Sequence, residues 1–118
     1  MTSVLVAMRV FVLEDNPGRL DFFRKLFPGC VTAINYPEAV AALEGTRFDL
    51  VYLDHDIPGS ENGADVAFWM TRMPREKWPD KVIVHSSNVR GSLAIFFTLR
   101  RAGFAVEQQM YPPDAPVV

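Results

Sequence analysis

The feature that most constrains the fold is a repeated alternation of β-type and helical segments. Five short runs rich in β-branched and aromatic residues lie along the chain, at residues 8–13, 31–35, 50–53, 82–84 and 104–110. Parallel strands need crossover connections, which are usually helical and nearly always right-handed. The alternation therefore predicts one doubly wound α/β domain with a five-stranded parallel sheet.

Helical periodicity fills the spaces between these runs, with local start and stop signals. We predict helices over residues 18–27, 37–43, 64–73 and 93–102. Asn16 and Pro17 suit the start of the first helix, and Gly103 suits the end of the fourth. Three prolines follow the last strand, at positions 112, 113 and 116. The sequence therefore predicts that a fifth helix is missing.

Length and composition set the domain organisation and exclude several classes of function. The 118 residues, 49% of them hydrophobic, predict one domain over residues 1–111 and a proline-rich tail over residues 112–118. No apolar run is long enough for a membrane span, and the apolar start lacks the basic leader of a signal peptide. A single cysteine, Cys30, indicates a reducing, cytoplasmic location. A net charge of -2 argues against binding to duplex DNA.

The third predicted strand ends abruptly in Asp54, His55 and Asp56. Ligands of open α/β sheets bind beyond the carboxyl ends of the strands, where this cluster is expected to lie. Two carboxylates so close together repel each other unless a cation or a proton relieves the repulsion. The pattern therefore predicts a functional site.

Further residues near strand ends give the chain a resemblance to the receiver domains of bacterial response regulators. The matching positions are Glu14, Asp15, Asp54, Pro58, Gly63 and Ser86. The resemblance implies the strand order 2-1-3-4-5, with Asp54 at the phosphoacceptor position and Ser86 at the hydroxyl that contacts the phosphoryl group. It also implies that Glu14 and Asp15 bind a metal ion. In this arrangement the order of the strands reverses between the first and third strands, so Asp15 and Asp54 are expected to project into one crevice.

Two departures from the usual receiver pattern point to a divergent group. Residues 106–112 contain no lysine, although receivers normally carry one after the fifth strand, and histidines follow two strands at His55 and His85. The segments at residues 53–56, 61–63 and 84–88 resemble the cyclic-phosphate-processing receiver domains. That resemblance implies chemistry on a cyclic or terminal phosphate of a nucleotide or an RNA end.

The residues themselves are compatible with such chemistry. Asp15, Asp54 and Asp56, with Glu14 beside them, could hold Mg²⁺ or Mn²⁺, which would polarise the phosphate or activate water. Opening a cyclic phosphate also needs a proton to move, and we expect His55 or His85 to move it. Hydrogen bonds to the phosphate are expected at the start of the fourth helix, from Ser86, Ser87 and Asn88.

Simpler interpretations exist for several of these residues. Strand alternation points His55 away from its two acidic neighbours, and His85 away from Ser86, so both histidines could be structural. The segment 86–88 could be only a helix cap, Asp56 could only support its loop, and Glu61 and Asn62 fit a turn. Three functions therefore remain open: a metal-dependent phosphoesterase, a receiver phosphorylated on Asp54, and a silent binding module.

The missing fifth helix has a consequence for packing. In the predicted topology the first and last helices share one face of the sheet, so apolar surface beside Phe22, Phe23 and Phe27 lacks a cover. We expect either a homodimer through this face or the tail folded across it.

Overall fold

The computed structural model describes residues 8–109 and shows the predicted alternation of strands and helices. The elements in chain order are β1 (Val10–Leu13), α1 (Pro17–Leu26), β2 (Val31–Ala33), α2 (Tyr36–Gly45), β3 (Leu50–Leu53), α3 (Gly63–Thr71), a short 3₁₀ helix (Arg75–Lys77), β4 (Lys81–Val84), α4 (Val89–Ala102) and β5 (Val106–Gln108). The strands form one parallel sheet in the order β2-β1-β3-β4-β5. The predicted fold class and strand order are confirmed.

Strand alternation divides the apolar side chains between two faces of the sheet. One face packs against α2, α3 and α4 through the strand residues Phe11, Leu13, Val51, Leu53, Val82 and Val84. The other carries Val10, Val12, Tyr52 and Ile83 and packs against Phe23 of α1. Both faces are buried, which explains why the central strands read as continuous hydrophobic runs.

Element boundaries differ from the prediction where polar side chains act as caps. Asn35, predicted within the second strand, is the N-cap of α2 and accepts a hydrogen bond from the N–H of Glu38 at 2.9 Å. Asn88 caps α4 in the same way, so this helix begins at Val89 rather than at residue 93. The predicted caps of α1 and α4 lie where expected, because Asn16 accepts from Arg19 N–H and Gly103 has a left-handed φ of 110°.

The end of the sheet leaves one prediction open. Among residues 8–109, no helix follows β5. Phe23 is fully buried against Tyr52, with ring centroids 4.8 Å apart, so α1 covers at least part of its face. The proline-rich tail at residues 112–118 lies outside the described residues. The boundary between domain and tail therefore stays a prediction, and so does the homodimer. No helix within the described part of the chain is long and apolar enough to span a membrane.

Candidate metal and phosphate cleft

Three polar residues stand side by side at the carboxyl ends of the three central strands. Leu13 pairs with Leu53, and Leu53 pairs with Val84, so the next residues, Glu14, Asp54 and His85, form a row. The residues that precede the row, Leu13, Leu53 and Val84, point to the face covered by α2, α3 and α4. Because side chains alternate along a strand, the row itself lies on the face covered by α1. One ligand-type atom from each lies within 4.8 Å of the others, and all three residues are buried.

Glu14 is the centre of a buried hydrogen-bond network. Its Oε1 accepts from Nε of Arg19 at 2.8 Å and from Nε2 of His85 at 3.0 Å. Its Oε2 accepts from the backbone N–H of Asn16 at 3.0 Å and from the second guanidinium nitrogen of Arg19 at 3.2 Å. Burial by itself raises the pKa of Glu14, but the bonds from His85 and Arg19 outweigh it and lower the pKa to about 2. Both oxygens of Glu14, a predicted metal ligand, are therefore occupied by protein donors.

His85 belongs to the interior rather than to a surface. Its side chain is completely buried, and its ring lies 5.2 Å from that of Phe23 and 5.9 Å from that of Tyr52. Nε2 faces Glu14, while Nδ1 is buried without a hydrogen-bond partner among the described residues. The role of His85 in proton transfer stays a prediction, and its contacts among the described residues are with Glu14, Phe23 and Tyr52.

Asp54 lies at the floor of the site, in an unfavourable environment for a negative charge. The residue is 4% exposed, and its Oδ1 accepts from the backbone N–H of His55 at 2.8 Å. Burial and the nearby charge of Glu14 raise the pKa of Asp54 to about 6, although His85, the His55 amide and Ser86 act in the opposite direction. The backbone behind it is packed tightly, because a Cβ at Gly63 would lie 1.9 Å from the carbonyl oxygen of Asp54.

A cleft of about 410 Å³ opens above this floor. The residues that line it are Asp15, Asn16, Pro17, Arg19, Asp54, Asp56 and Ser87. Three of the predicted site carboxylates thus meet in one place, together with one predicted hydroxyl. Arg19 was missed by the sequence analysis. The signal for it was its position in the first turn of a helix that begins directly after the acidic pair.

His55 and Asp56 form a pair at the edge of the cleft. Nδ1 of His55 lies 2.7 Å from Oδ1 of Asp56, which also accepts from Nδ2 of Asn88 at 3.0 Å. These two contacts lower the pKa of Asp56. The imidazole lies directly against the first turn of α4, where a Cβ at Gly91 would approach its Cγ to 2.2 Å. The imidazole of His55 does not line the cleft and reaches it through Asp56 and Asn88, although the backbone N–H of His55 donates directly to Asp54.

The predicted phosphate-binding segment, residues 86–88, contains residues that make internal hydrogen bonds and one residue that is exposed to the cleft. Ser86 is buried, and its Oγ accepts from the backbone N–H of Asn88 at 3.1 Å. The Asn88 amide is also engaged, because Oδ1 accepts from Gly91 N–H and Nδ2 donates to Asp56. Ser87 alone is exposed and lines the cleft. Asn88, predicted as a phosphate donor, thus caps α4, and Ser86 contacts both this cap and Asp54.

The nearby loop residues have a structural role as well. The side chain of Asn62 accepts from the backbone N–H groups of Ala64 and Asp65, and Asp65 accepts from Asn62 N–H at 2.8 Å. This reciprocal capping box starts α3. Asn62 therefore caps a helix, in agreement with the turn interpretation.

Two sets of side chains could hold a metal ion. The buried set, Glu14, Asp54 and His85, is compact, but protein donors already occupy both oxygens of Glu14. The cleft set, Asp15, Asp54 and Asp56, offers carboxylate oxygens in an open cleft, which suits Mg²⁺ with its preference for oxygen ligands and retained waters. The negative charge accumulated around Asp54 also favours a cation there. The cleft set has the oxygen-only chemistry that such an ion prefers, whereas among the described residues the buried set is the one that brings three ligand atoms within 4.8 Å of one another.

Comparison with solved structures identifies the class of fold. The phosphorylated cyanobacterial phytochrome response regulator RcpA gives a TM-score of 0.71 at 20% identity, over 93% of this chain and 84% of that one. A CheY-like receiver domain from Methylobacillus flagellatus gives 0.68 at 14% identity, over 92% and 91% of the two chains. The response regulator TrrA from Thermotoga maritima, in complex with Mg²⁺-BeF, gives 0.62 at 25% identity, over 91% and 90%. The fold is that of a receiver domain.

The sequence identifies the family within the class of receiver domains. The chain belongs to the family of cyclic-phosphate processing receiver domains, which matches residues 10–101. The resemblance drawn from residues 53–56, 61–63 and 84–88 is therefore confirmed. A comparison with curated proteins finds no match.

Proposed function

We propose that this receiver domain is a divalent-metal-dependent phosphoesterase that acts on a cyclic or terminal phosphate of a nucleotide or an RNA end. The observation that carries the proposal is the cleft, in which Asp15, Asp54 and Asp56 meet Arg19 and Ser87. Carboxylates for a cation, a guanidinium for phosphate oxygens and a hydroxyl donor are what such a reaction requires. Membership of a family named for cyclic-phosphate processing supports the same chemistry.

In this proposal Asp15, Asp54 and Asp56 hold Mg²⁺ or Mn²⁺. The ion, when bound, supplies positive charge that neutralises phosphoryl oxygens in the transition state. Asp15 and Asp56 are exposed to the cleft, whereas Asp54 is fixed at its floor. The raised pKa of Asp54 is consistent with a cation site, because a nearby positive charge would offset both the burial of this carboxylate and its repulsion from Glu14.

We assign two further roles in the cleft, phosphate binding and proton transfer. Arg19 and the Ser87 hydroxyl donate to phosphoryl oxygens. Water attacks the phosphorus atom, one bond between phosphorus and a ribose oxygen breaks, and the departing oxygen takes up a proton. We assign the removal of the proton from the attacking water to Asp54, and the departing ribose oxygen takes its proton from solvent in the open cleft.

Both histidines act as positioning residues in this scheme. His55 holds Asp56 through the 2.7 Å contact, and His85 holds Glu14, which in turn fixes the guanidinium of Arg19. Neither imidazole lines the cleft. This assignment replaces the expected proton transfer by His55 or His85.

A second candidate function is that of a receiver phosphorylated on Asp54. Asp54 lies at the floor of an acidic cleft on a fold shared with phosphorylated RcpA and with TrrA bound to Mg²⁺-BeF. The absence of lysine from residues 104–109 weakens this alternative, because the receivers that the chain resembles carry one there.

One experiment separates the two functions. Purified protein is incubated with Mg²⁺ or Mn²⁺ and either 2′,3′-cyclic nucleotides or acetyl phosphate, and products and protein mass are measured. We expect ring opening that chelator abolishes and that Asp54→Asn reduces by roughly a hundredfold or more. The matched control Asp21→Asn, at an exposed position of α1, should retain activity. A stable phosphate on Asp54 without turnover would favour the signalling function instead.

A further inference from the structure

The charge of α4 differs from that of the other described helices. It carries Arg90, Arg100 and Arg101 and no acidic residue, in a chain whose net charge is -2. The helices α2 and α3 contain acidic residues but no basic ones, and α1 contains both. Helix α4 is thus the main basic surface among the described helices.

The outward face of α4 is also unusually apolar. Its inward face buries Gly91, Ser92, Ile95 and Leu99. On the opposite face, at intervals of four residues, Val89 is 63% exposed, Leu93 38% and Phe97 52%. Residues at this spacing lie in one row on a helix surface, and the three arginines are also exposed. Exposed apolar surface of this kind commonly marks a binding site.

This face continues directly from the cleft. Ser87 lines the cleft, Asn88 contacts Asp56, and α4 begins at the next residue. Nine residues separate Asn88 from Phe97, or about 14 Å along the helix axis. A stacked strand advances about 3.4 Å for each nucleotide, so this distance corresponds to about four nucleotides.

We propose that the substrate is the end of a single-stranded RNA rather than a free mononucleotide. The terminal phosphate lies in the cleft, and the preceding nucleotides lie along the outward face of α4. Arg90 contacts a backbone phosphate near the cleft, Arg100 and Arg101 contact phosphates about four nucleotides further along, and Phe97 stacks on a base. This inference rests on the proposed function, and it names the substrate class for the same site.

A protein partner with an acidic surface would also complement the charge of α4. RNA fits better for two reasons. The face starts at the phosphate cleft, and the arginines lie near both ends of the helix, where the repeated phosphates of one RNA strand can reach both positions. An isologous contact between two copies of α4 is disfavoured, since it would bring arginines together without any acidic partner from this helix.

The test compares binding rather than turnover. A five-nucleotide RNA with a 3′-phosphate and a nucleoside 3′-monophosphate compete, in Mg²⁺, against a fluorescently labelled copy of the oligonucleotide, with anisotropy as the readout. The wild-type protein is used, and the ligands are recovered after the measurement to check that they are intact. We expect the oligonucleotide to bind at least roughly tenfold more tightly than the mononucleotide.

The α4 variant Phe97→Ala with Arg101→Glu should lose this length advantage and keep the affinity for the mononucleotide. The matched control Phe68→Ala with Lys25→Glu makes the same changes at exposed positions of α3 and α1, and it should keep the advantage. Equal affinities for the two ligands, or a length advantage that survives in the α4 variant, would overturn the RNA path. A length advantage without turnover of any cyclic phosphate would contradict the enzymatic function and leave the RNA path standing.

Discussion

Glu14 and Asp15 are adjacent in sequence, yet they lie in opposite environments. Glu14 is completely buried, and its oxygens accept hydrogen bonds from Arg19, His85 and the backbone of Asn16. Asp15 is exposed and lines the open cleft. The same contrast applies to the groups around them, since the buried hydrogen-bond network of Glu14 lies beside an open acidic cleft.

The difference shows how one strand end can serve both stability and chemistry. A buried charge is tolerable only when partners satisfy it, and Glu14 has them, so its pKa is low. Asp54, between the two regions, is buried like Glu14 but lies beside that negative charge, so its pKa is high. The buried network should therefore determine folding stability, whereas the cleft should determine metal binding.

The largest expected effect separates the two neighbours. Glu14→Gln should lower the free energy of unfolding at pH 7 by on the order of 3 kcal/mol, in line with a pKa lowered from 4.5 to about 2. Asp15→Asn should change it by less than about 0.5 kcal/mol, as for other exposed positions, but should weaken Mg²⁺ binding. Urea denaturation and calorimetric Mg²⁺ titration measure the two quantities.

The pH dependence provides the control for this pair. A lowered carboxyl pKa stabilises the folded state above pH 4.5, and this stabilisation is lost as the pH falls toward 2. The difference between wild type and Glu14→Gln should therefore shrink in acid. Equal losses of stability in Glu14→Gln and Asp15→Asn would remove the distinction between the two regions.

Asp54→Asn should have the next largest effect, with the opposite sign. A pKa raised from 3.8 to about 6 means that ionisation of Asp54 destabilises the metal-free fold as the pH rises through this interval. In chelator at pH 8, the variant should be more stable than wild type by about 2 to 3 kcal/mol. The gain should vanish near pH 4, and added Mg²⁺ should stabilise only the wild type. A destabilised variant at pH 8 would contradict the unfavourable environment proposed for this carboxylate.

A smaller effect should follow from a change beside His55. Gly91→Ala brings a methyl group to 2.2 Å from Cγ of the imidazole, so the ring must move, at a net cost of about 1 kcal/mol after the gain in helix propensity. Gly45→Ala is the control, because nothing lies within 4 Å of its Cβ position. The double variant with His55→Ala should recover the lost stability in thermal unfolding. Without such recovery, the clash with His55 is not the cause.

The sequence was sufficient to predict the architecture because the alternation of strand-type and helix-type segments recurs along the whole domain. Alternating elements with clear ends determine a parallel sheet, and each additional crossover strengthens that inference. The start of α4 was misplaced because Val89 and Arg90 lie on an outward face that shows no inward apolar pattern. Asn88, a good N-cap residue, was the local signal for the true boundary.

The site was less predictable because its roles depend on strand register. His85 and Ser86 are adjacent, and only the pairing of Leu53 with Val84 places His85 in a row with Asp54 and Glu14. Side-chain alternation along the strand also determines that Glu14, and not Asp15, is buried. The sequence identified the acidic residues that line the cleft, but not that Glu14 would be satisfied internally by Arg19.

The smallest predicted effect tests whether His55 connects the two regions or only fills space. Asp56 is 67% exposed at its side chain, so solvent and Asn88 share its support with His55. His55→Ala should therefore weaken Mg²⁺ binding by only about threefold, less than the roughly tenfold or greater loss that is typical when a supporting contact of a metal site is removed. The stability of the metal-free protein should change less than in Glu14→Gln, and Asn88→Ala with His55→Ala should weaken Mg²⁺ binding further. Unchanged Mg²⁺ affinity in the double variant would mean that Asp56 needs neither contact, and the cleft would then depend on Asp15 and Asp54 alone.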